Sequence, residues 1–208
     1  MDIFIIKIDK FMKFIDEFSI CNDFSSRKRC IEFSLGRFLT KFVAKNFYNL
    51  ENTDILICNK KPVFLNSKLY FSISHSKNIV AVAFDNNDVG LDFEFLKPRN
   101  LEKFCRRMNK KFQNEIEFYQ YWTSFEAQYK SKPQFLTSFR FEDYIASVSS
   151  FSKIDKSLKL YEIHLSENIA ESNNLIDLRL VNNVSDLNIN EVNTDCLEFL
   201  PSLNMKIP

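Results

Sequence analysis

The run from Tyr70 to Phe95, YFSISHSKNIVAVAFDNNDVGLDFEF, constrains this chain more than any other stretch. Tyr70 to Ile73 is aromatic and β-branched, Ile79 to Phe84 is an unbroken apolar run suited to a strand buried on both faces, and Val89 to Phe95 alternates. Asp85-Asn86-Asn87-Asp88 between the last two is turn chemistry. Three short strands in succession commit the middle of the chain to a sheet. The side-chain period of two then puts Asp92 and Glu94 on one face and Phe93 on the other. Neighbouring carboxylates repel unless a cation lies between them, and paired hard oxygens suit Mg²⁺. Ser74, His75, Ser76 and Lys77 leave the first strand with hydroxyls, an imidazole and an ammonium, a set suited to phosphate. Each feature also has a plainer reading: two solvated carboxylates at a strand end, and a histidine held in the core.

Only two glycines occur, Gly36 and Gly90, which excludes phosphate cradles built from several glycines, both the Walker A loop and the dinucleotide fingerprint. A phosphorylated ligand has to be held by side chains. Five cysteines without C-x-x-C spacing argue for free thiols in a reducing compartment and against structural zinc, and the two histidines, His75 and His164, lie far apart. No leader pattern or bilayer-length apolar run is present, so the expectation is a cytoplasmic protein without a membrane span. Charge is uneven: residues 1–150 carry 23 basic and 18 acidic side chains, residues 151–208 carry 5 and 9. A moderately basic front half suits an acidic partner or a phosphorylated ligand better than it suits nucleic acid, which calls for a long basic stripe.

The rest of the chain follows in order. Ile3 to Ile8 reads as a strand and Phe11 to Phe18 as a short helix. Ser25-Ser26 offers an N-cap to a long helix whose apolar stripe is Ile31, Leu35, Phe38, Leu39, Phe42, Val43 and Phe47. Arg27, Lys28 and Arg29 crowd its first turn, where the helix dipole disfavours cations and favours an anion. A solvated basic turn is the simpler alternative. Strands are expected at Ile55 to Cys58 and Val63 to Leu65, around the turn Asn59-Lys60-Lys61-Pro62. Leu101 to Phe112 is amphipathic, with Lys103, Arg106, Arg107, Lys110 and Lys111 off its apolar face. Glu115 to Lys132 is helical, and Glu126 and Lys130 share one face at i,i+4. Strands follow at Phe139 to Phe141, Tyr144 to Val148 and Leu158 to Leu165, with a weak signal at Leu175 to Val181.

Four motifs in register, Lys61-Pro62, FSISHS at Phe71 to Ser76, VGLDFE at Val89 to Glu94 and W-x-x-x-E-A-x-x-K from Trp122 to Lys130, make the chain resemble the 4′-phosphopantetheinyl transferase superfamily, in its longer two-lobed form. The resemblance covers about residues 25–150. It implies transfer of the phosphopantetheine arm of coenzyme A to a serine of an acyl or peptidyl carrier protein, with release of adenosine 3′,5′-bisphosphate. It further implies that Asp92, Glu94 and Glu126 hold Mg²⁺ (or Mn²⁺), that Glu126 is the base for the carrier serine and that Lys130 faces the pyrophosphate. Lys28, Lys61, Ser74 and His75 would embrace the nucleotide end. The carrier would dock near Leu101, Phe104, Arg107 and Met108. Two positions depart from the pattern: Phe125 stands where a lysine is usual, and Pro133 where a glycine is usual.

The expectation is therefore an α+β monomer of two similar lobes, residues 1–98 and 99–208, each a small, mainly antiparallel sheet packed on a long helix, with the site between them. The competing reading is a binding protein that keeps coenzyme A and the carrier but has lost turnover. The sequence assigns no role to residues 166–208.

Overall fold

Residues 79–85 form a strand buried along almost its whole length, as the run Ile-Val-Ala-Val-Ala-Phe predicts. A computed structural model describes residues 1–13, 15, 20, 21, 23–131, 135–154, 158–165 and 187–202. In chain order its elements are β1 (Asp2–Lys7), α1 (Ile8–Met12), α2 (Arg27–Asn46), β2 (Ile55–Cys58), β3 (Lys61–Phe64), β4 (Tyr70–Ser76), β5 (Ile79–Asp85), β6 (Gly90–Phe95), α3 (Leu101–Met108) and α4 (Glu115–Lys130). There follow β7 (Phe135–Phe141), β8 (Tyr144–Ser150), β9 (Lys159–Leu165), β10 (Leu187–Val192), a 3₁₀ turn at Thr194–Cys196 and β11 (Glu198–Phe199). The expected strand signal at Leu175 to Val181, half of the helical signal at Phe11 to Phe18, and Pro133 lie outside the described residues.

The architecture is α+β, as expected. One sheet has the order β10-β9-β1-β5-β4, the other β11-β7-β8-β6, and β2 pairs with β3 as a separate hairpin. Pairing is antiparallel throughout except between β1 and β9. Strands β9 and β10 come from the second half of the chain yet complete the sheet begun by β1. No local signal specifies such a pairing, because a parallel neighbour is chosen by the surface it helps to bury.

The five-stranded sheet buries both faces. Phe4, Ile6, Val80, Val82 and Phe84 meet the apolar stripe of α2 at Leu35, Leu39, Phe42 and Val43. On the opposite face Ile3, Ile5, Ile79, Ala81 and Ala83 meet Leu91, Phe93, Phe139, Ala146 and Val148 of the four-stranded sheet. Each large apolar side chain removed from water contributes about 1.5–3 kcal/mol, so these two interfaces carry the fold. Helix α4 covers the remaining face of the second sheet, giving four layers in the order helix, sheet, sheet, helix.

Helix boundaries follow local chemistry only in part. Ser26 stands at the N-cap of α2 as predicted, but its side chain makes no capping bond. Asn100 and Asn114 cap α3 and α4 instead, accepting from the amides of Lys103 and Glu117. Helix α3 ends at Met108, where Asn109 turns left-handed with φ of 49°. Among the described residues no helix is long and apolar enough to cross a membrane, and all five cysteines are free thiols.

Candidate active site

Alternation along β4 separates two tasks. Phe71, Ile73 and His75 face α2, while Ser72, Ser74 and Ser76 face β6, the edge strand of the other sheet. Their hydroxyls accept hydrogen bonds from the backbone amides of Leu91, Phe93 and Phe95, each at 3.0 Å. Edge amides of β6 that have no strand neighbour are thereby satisfied without water. Two of these serines then donate onward: Ser74 to Asp92 Oδ1 at 3.1 Å and Ser76 to Glu94 Oε2 at 2.8 Å. The S-x-S-x-S alternation thus ties the two sheets together and aims the two carboxylates of β6. Ser74, expected at the nucleotide end of the ligand, is buried and has its hydroxyl engaged with Asp92 and Phe93.

Asp92 and Glu94 point towards α4, as the period of two requires. The helix approaches closely because Gly90 leaves room: a Cβ there would overlap the Ala127 carbonyl oxygen and stand 2.7 Å from Ser131 Oγ. Beneath α4 the buried hydroxyls of Thr123, Ser124, Ser138 and Ser147 bond one another at 2.7–3.2 Å. Lys130 donates to Asp92 Oδ1 and to the Leu91 carbonyl, both at 2.8 Å. The i,i+4 spacing of Glu126 and Lys130 therefore does not become an ion pair. Lys130 crosses to the sheet, where the buried carboxylate has more need of a counter-charge.

The three carboxylates act on one another. Burial raises the pKa of Asp92, and the Lys130 ammonium only partly offsets it. Glu94 and Glu126 are each raised first by burial and further by the charge of Asp92. Asp92 Oδ2 is buried and has no hydrogen-bond partner. Among the described residues no three His, Cys, Asp or Glu side chains are gathered to hold a metal ion. The donor chemistry nonetheless fits Mg²⁺: all oxygens, mutually repelling, one of them buried without a partner.

His75 lies on the α2 side, within electrostatic reach of Asp92 and Lys130. Its Nδ1 is 3.3 Å from Glu32 Oε2, and Glu32 Oε1 is 3.4 Å from Lys28 Nζ. Glu32 escaped the sequence reading. Its one signal was a carboxylate placed among the apolar positions of α2. Lys61 bonds Asp88 and donates to the Val89 carbonyl at 3.0 Å, so it braces the entrance to β6. On α3, Leu101, Phe104 and Met108 turn onto Phe112, Phe118 and Tyr119, while Arg107 is exposed. The apolar face expected to meet a partner is thus largely covered, and the basic face is open.

Over 100 residues, 45% of the chain, the sequence is 32% identical to the 4′-phosphopantetheinyl transferase Sfp of Bacillus subtilis (strain 168). This similarity supports kinship with the 4′-phosphopantetheinyl transferase superfamily. The match covers 45% of that protein too, so the chain is matched to less than half of its length. No family model matches the chain.

Proposed function

We propose that this protein transfers the 4′-phosphopantetheine arm of coenzyme A to a serine of an acyl or peptidyl carrier protein, as a monomer of the two-lobed, Sfp-like type. The observation that carries this is the cluster of Asp92, Glu94, Glu126 and Lys130 at the closest approach of α4 to β6, with His75 and Lys28 beside it.

Asp92, Glu94 and Glu126 would hold the divalent cation, Mg²⁺ or Mn²⁺. When bound, that cation supplies positive charge to the pyrophosphate as the leaving group departs. Glu126, whose pKa is raised first by burial and further by the charge of Asp92, takes the proton of the carrier serine hydroxyl. The serine oxygen bonds to the phosphorus bearing the pantetheine arm, the bridging P–O bond breaks, and adenosine 3′,5′-bisphosphate leaves. Lys130 holds positive charge beside Asp92, from where it would face the pyrophosphate. His75 and Lys28 receive the 3′-phosphate. The exposed basic face of α3, with Lys103, Arg106 and Arg107, steers an acidic carrier into place.

Intact-mass measurement of an apo carrier protein with this protein, coenzyme A and Mg²⁺, against an EDTA control, tests the proposal. A metal-dependent gain of about 340 Da is expected, the mass of one phosphopantetheine arm. Phe125, which stands where the family usually has a lysine, motivates one rival, a coenzyme A-binding protein without turnover. Coenzyme A binding with no mass gain on any carrier would establish the rival instead.

A further inference from the structure

A carboxylate inside the apolar side of a helix is costly unless it is paired, and Glu32 is such a group, its side chain only 7% exposed. One of its cations is Lys28, which is largely solvated and lies N-terminal to the glutamate, the weaker order for an i,i+4 pair. That partner alone gives little reason to bury the carboxylate. The other is His75 across the gap to β4. Gly36, one turn further along α2, explains how they meet. A Cβ at that position would lie 3.0 Å from Ile73 Cγ2, so its absence lets α2 settle onto β4. Ile73 and His75 share that face of β4, and Glu32 consequently sits behind the imidazole ring.

We infer that Glu32 is a positioning residue: it accepts the Nδ1–H of His75 and supports the ring's positive charge when an anion binds, so that the imidazolium donates its Nε2–H outward to that ligand. The partner of one ring nitrogen decides what the other can do. Among the described residues Nε2 has no protein partner, and the His75 side chain is 44% exposed, so the outward edge of the ring is open. Glu32 itself is screened from that side by the ring. Its charge therefore supports the imidazole more than it repels a phosphate. This assignment rests on the coenzyme A reading above for the identity of the anion, the 3′-phosphate, but not for the geometry of the ring.

Two measurements on the full chain test it. Long-range ¹H–¹⁵N correlation of the imidazoles in the ligand-free protein reports where the proton sits, with His164 as internal reference. The wild type is expected to be protonated at Nδ1. E32Q keeps an acceptor and should retain that state, whereas E32A should shift the ring towards the Nε2–H form of free imidazole. Calorimetric titration with coenzyme A and with 3′-dephospho-coenzyme A supplies the second readout. E32A should weaken coenzyme A binding about tenfold, the scale of one charge-assisted hydrogen bond, and leave the dephospho compound unchanged. A ring signal that is Nε2–H in the wild type, or unmoved in E32A, overturns the positioning role, as does an equal loss for both ligands. Ring signals that shift as expected in a protein that binds neither ligand would keep the role of Glu32 and overturn the coenzyme A reading.

Discussion

Substituting Gly90 by alanine tests the contact on which the site depends. Its φ is not positive, so nothing in the backbone demands glycine there. The demand comes from α4. The new Cβ would overlap the Ala127 carbonyl oxygen and stand 2.9 Å from its carbon. To restore ordinary contact the helix has to withdraw from β6 by upwards of about 0.5 Å for the carbon alone. The obstacle is backbone, which cannot rotate away as a side chain can, so the cost lies at the upper end of overpacking, about 3 kcal/mol. Alanine recovers up to about 1 kcal/mol by restricting the unfolded chain, leaving a net loss near 2 kcal/mol. At roughly 2–4 °C per kcal/mol for a chain of this size, the melting temperature falls by about 4–8 °C. Thermal unfolding followed by circular dichroism measures this, and transfer activity below the transition should fall too, because Glu126 and Lys130 ride on the displaced helix. A G90A protein that melts within about 1 °C of the wild type would refute the argument that helix–strand contact, rather than chain flexibility, requires glycine.

Gly36→Ala is the milder contrast: its Cβ would stand 3.0 Å from Ile73 Cγ2, which has to yield only a few tenths of an ångström, and a helix interior favours alanine by up to about 1 kcal/mol, so its melting temperature should fall by less than that of Gly90→Ala. Asp92→Asn and Glu126→Gln should each lower carrier modification at least about a hundredfold while the protein stays folded, measured by intact mass together with circular dichroism; near-wild-type turnover in either would remove that residue from the site. Ser74→Ala leaves the buried Phe93 amide without its acceptor and should cost about 1–3 kcal/mol, read from denaturant unfolding. Burial works against the Lys7 ammonium, but Glu142 and Glu162 outweigh it and raise its pKa. A raised folded pKa means that the stabilisation is complete below the unfolded value of about 10.4 and is lost as pH rises through the folded one. The difference in urea midpoint between wild type and Lys7→Met should accordingly shrink above about pH 10.5 and hold constant from pH 7 to 9.

Much of the site was legible locally because strand and helix periods are set by backbone geometry. Asp92 and Glu94 share a face since alternate residues must, and Glu126 and Lys130 share one since four residues nearly complete a turn. What those side chains touch was not legible. The i,i+4 spacing brings Lys130 to the face of Glu126, but its bond to Asp92, thirty-eight positions away, depends on how deeply that carboxylate is buried. The hydroxyl of Ser74 also fills a gap in hydrogen bonding at a sheet edge, a need that exists only once two sheets meet.

By itself, then, the sequence determined the strand–turn–strand centre, the long helices and the chemistry carried by β4, β6 and α4, all of which depend on residues within a few positions of one another. Tertiary structure alone decided that β9 and β10 would complete the sheet of β1, that Gly90 would admit α4, and that Glu32 would stand behind His75. Those outcomes depend on which surfaces are removed from water together. That choice is made by the free energy of the whole packed chain, and no window of the sequence contains it.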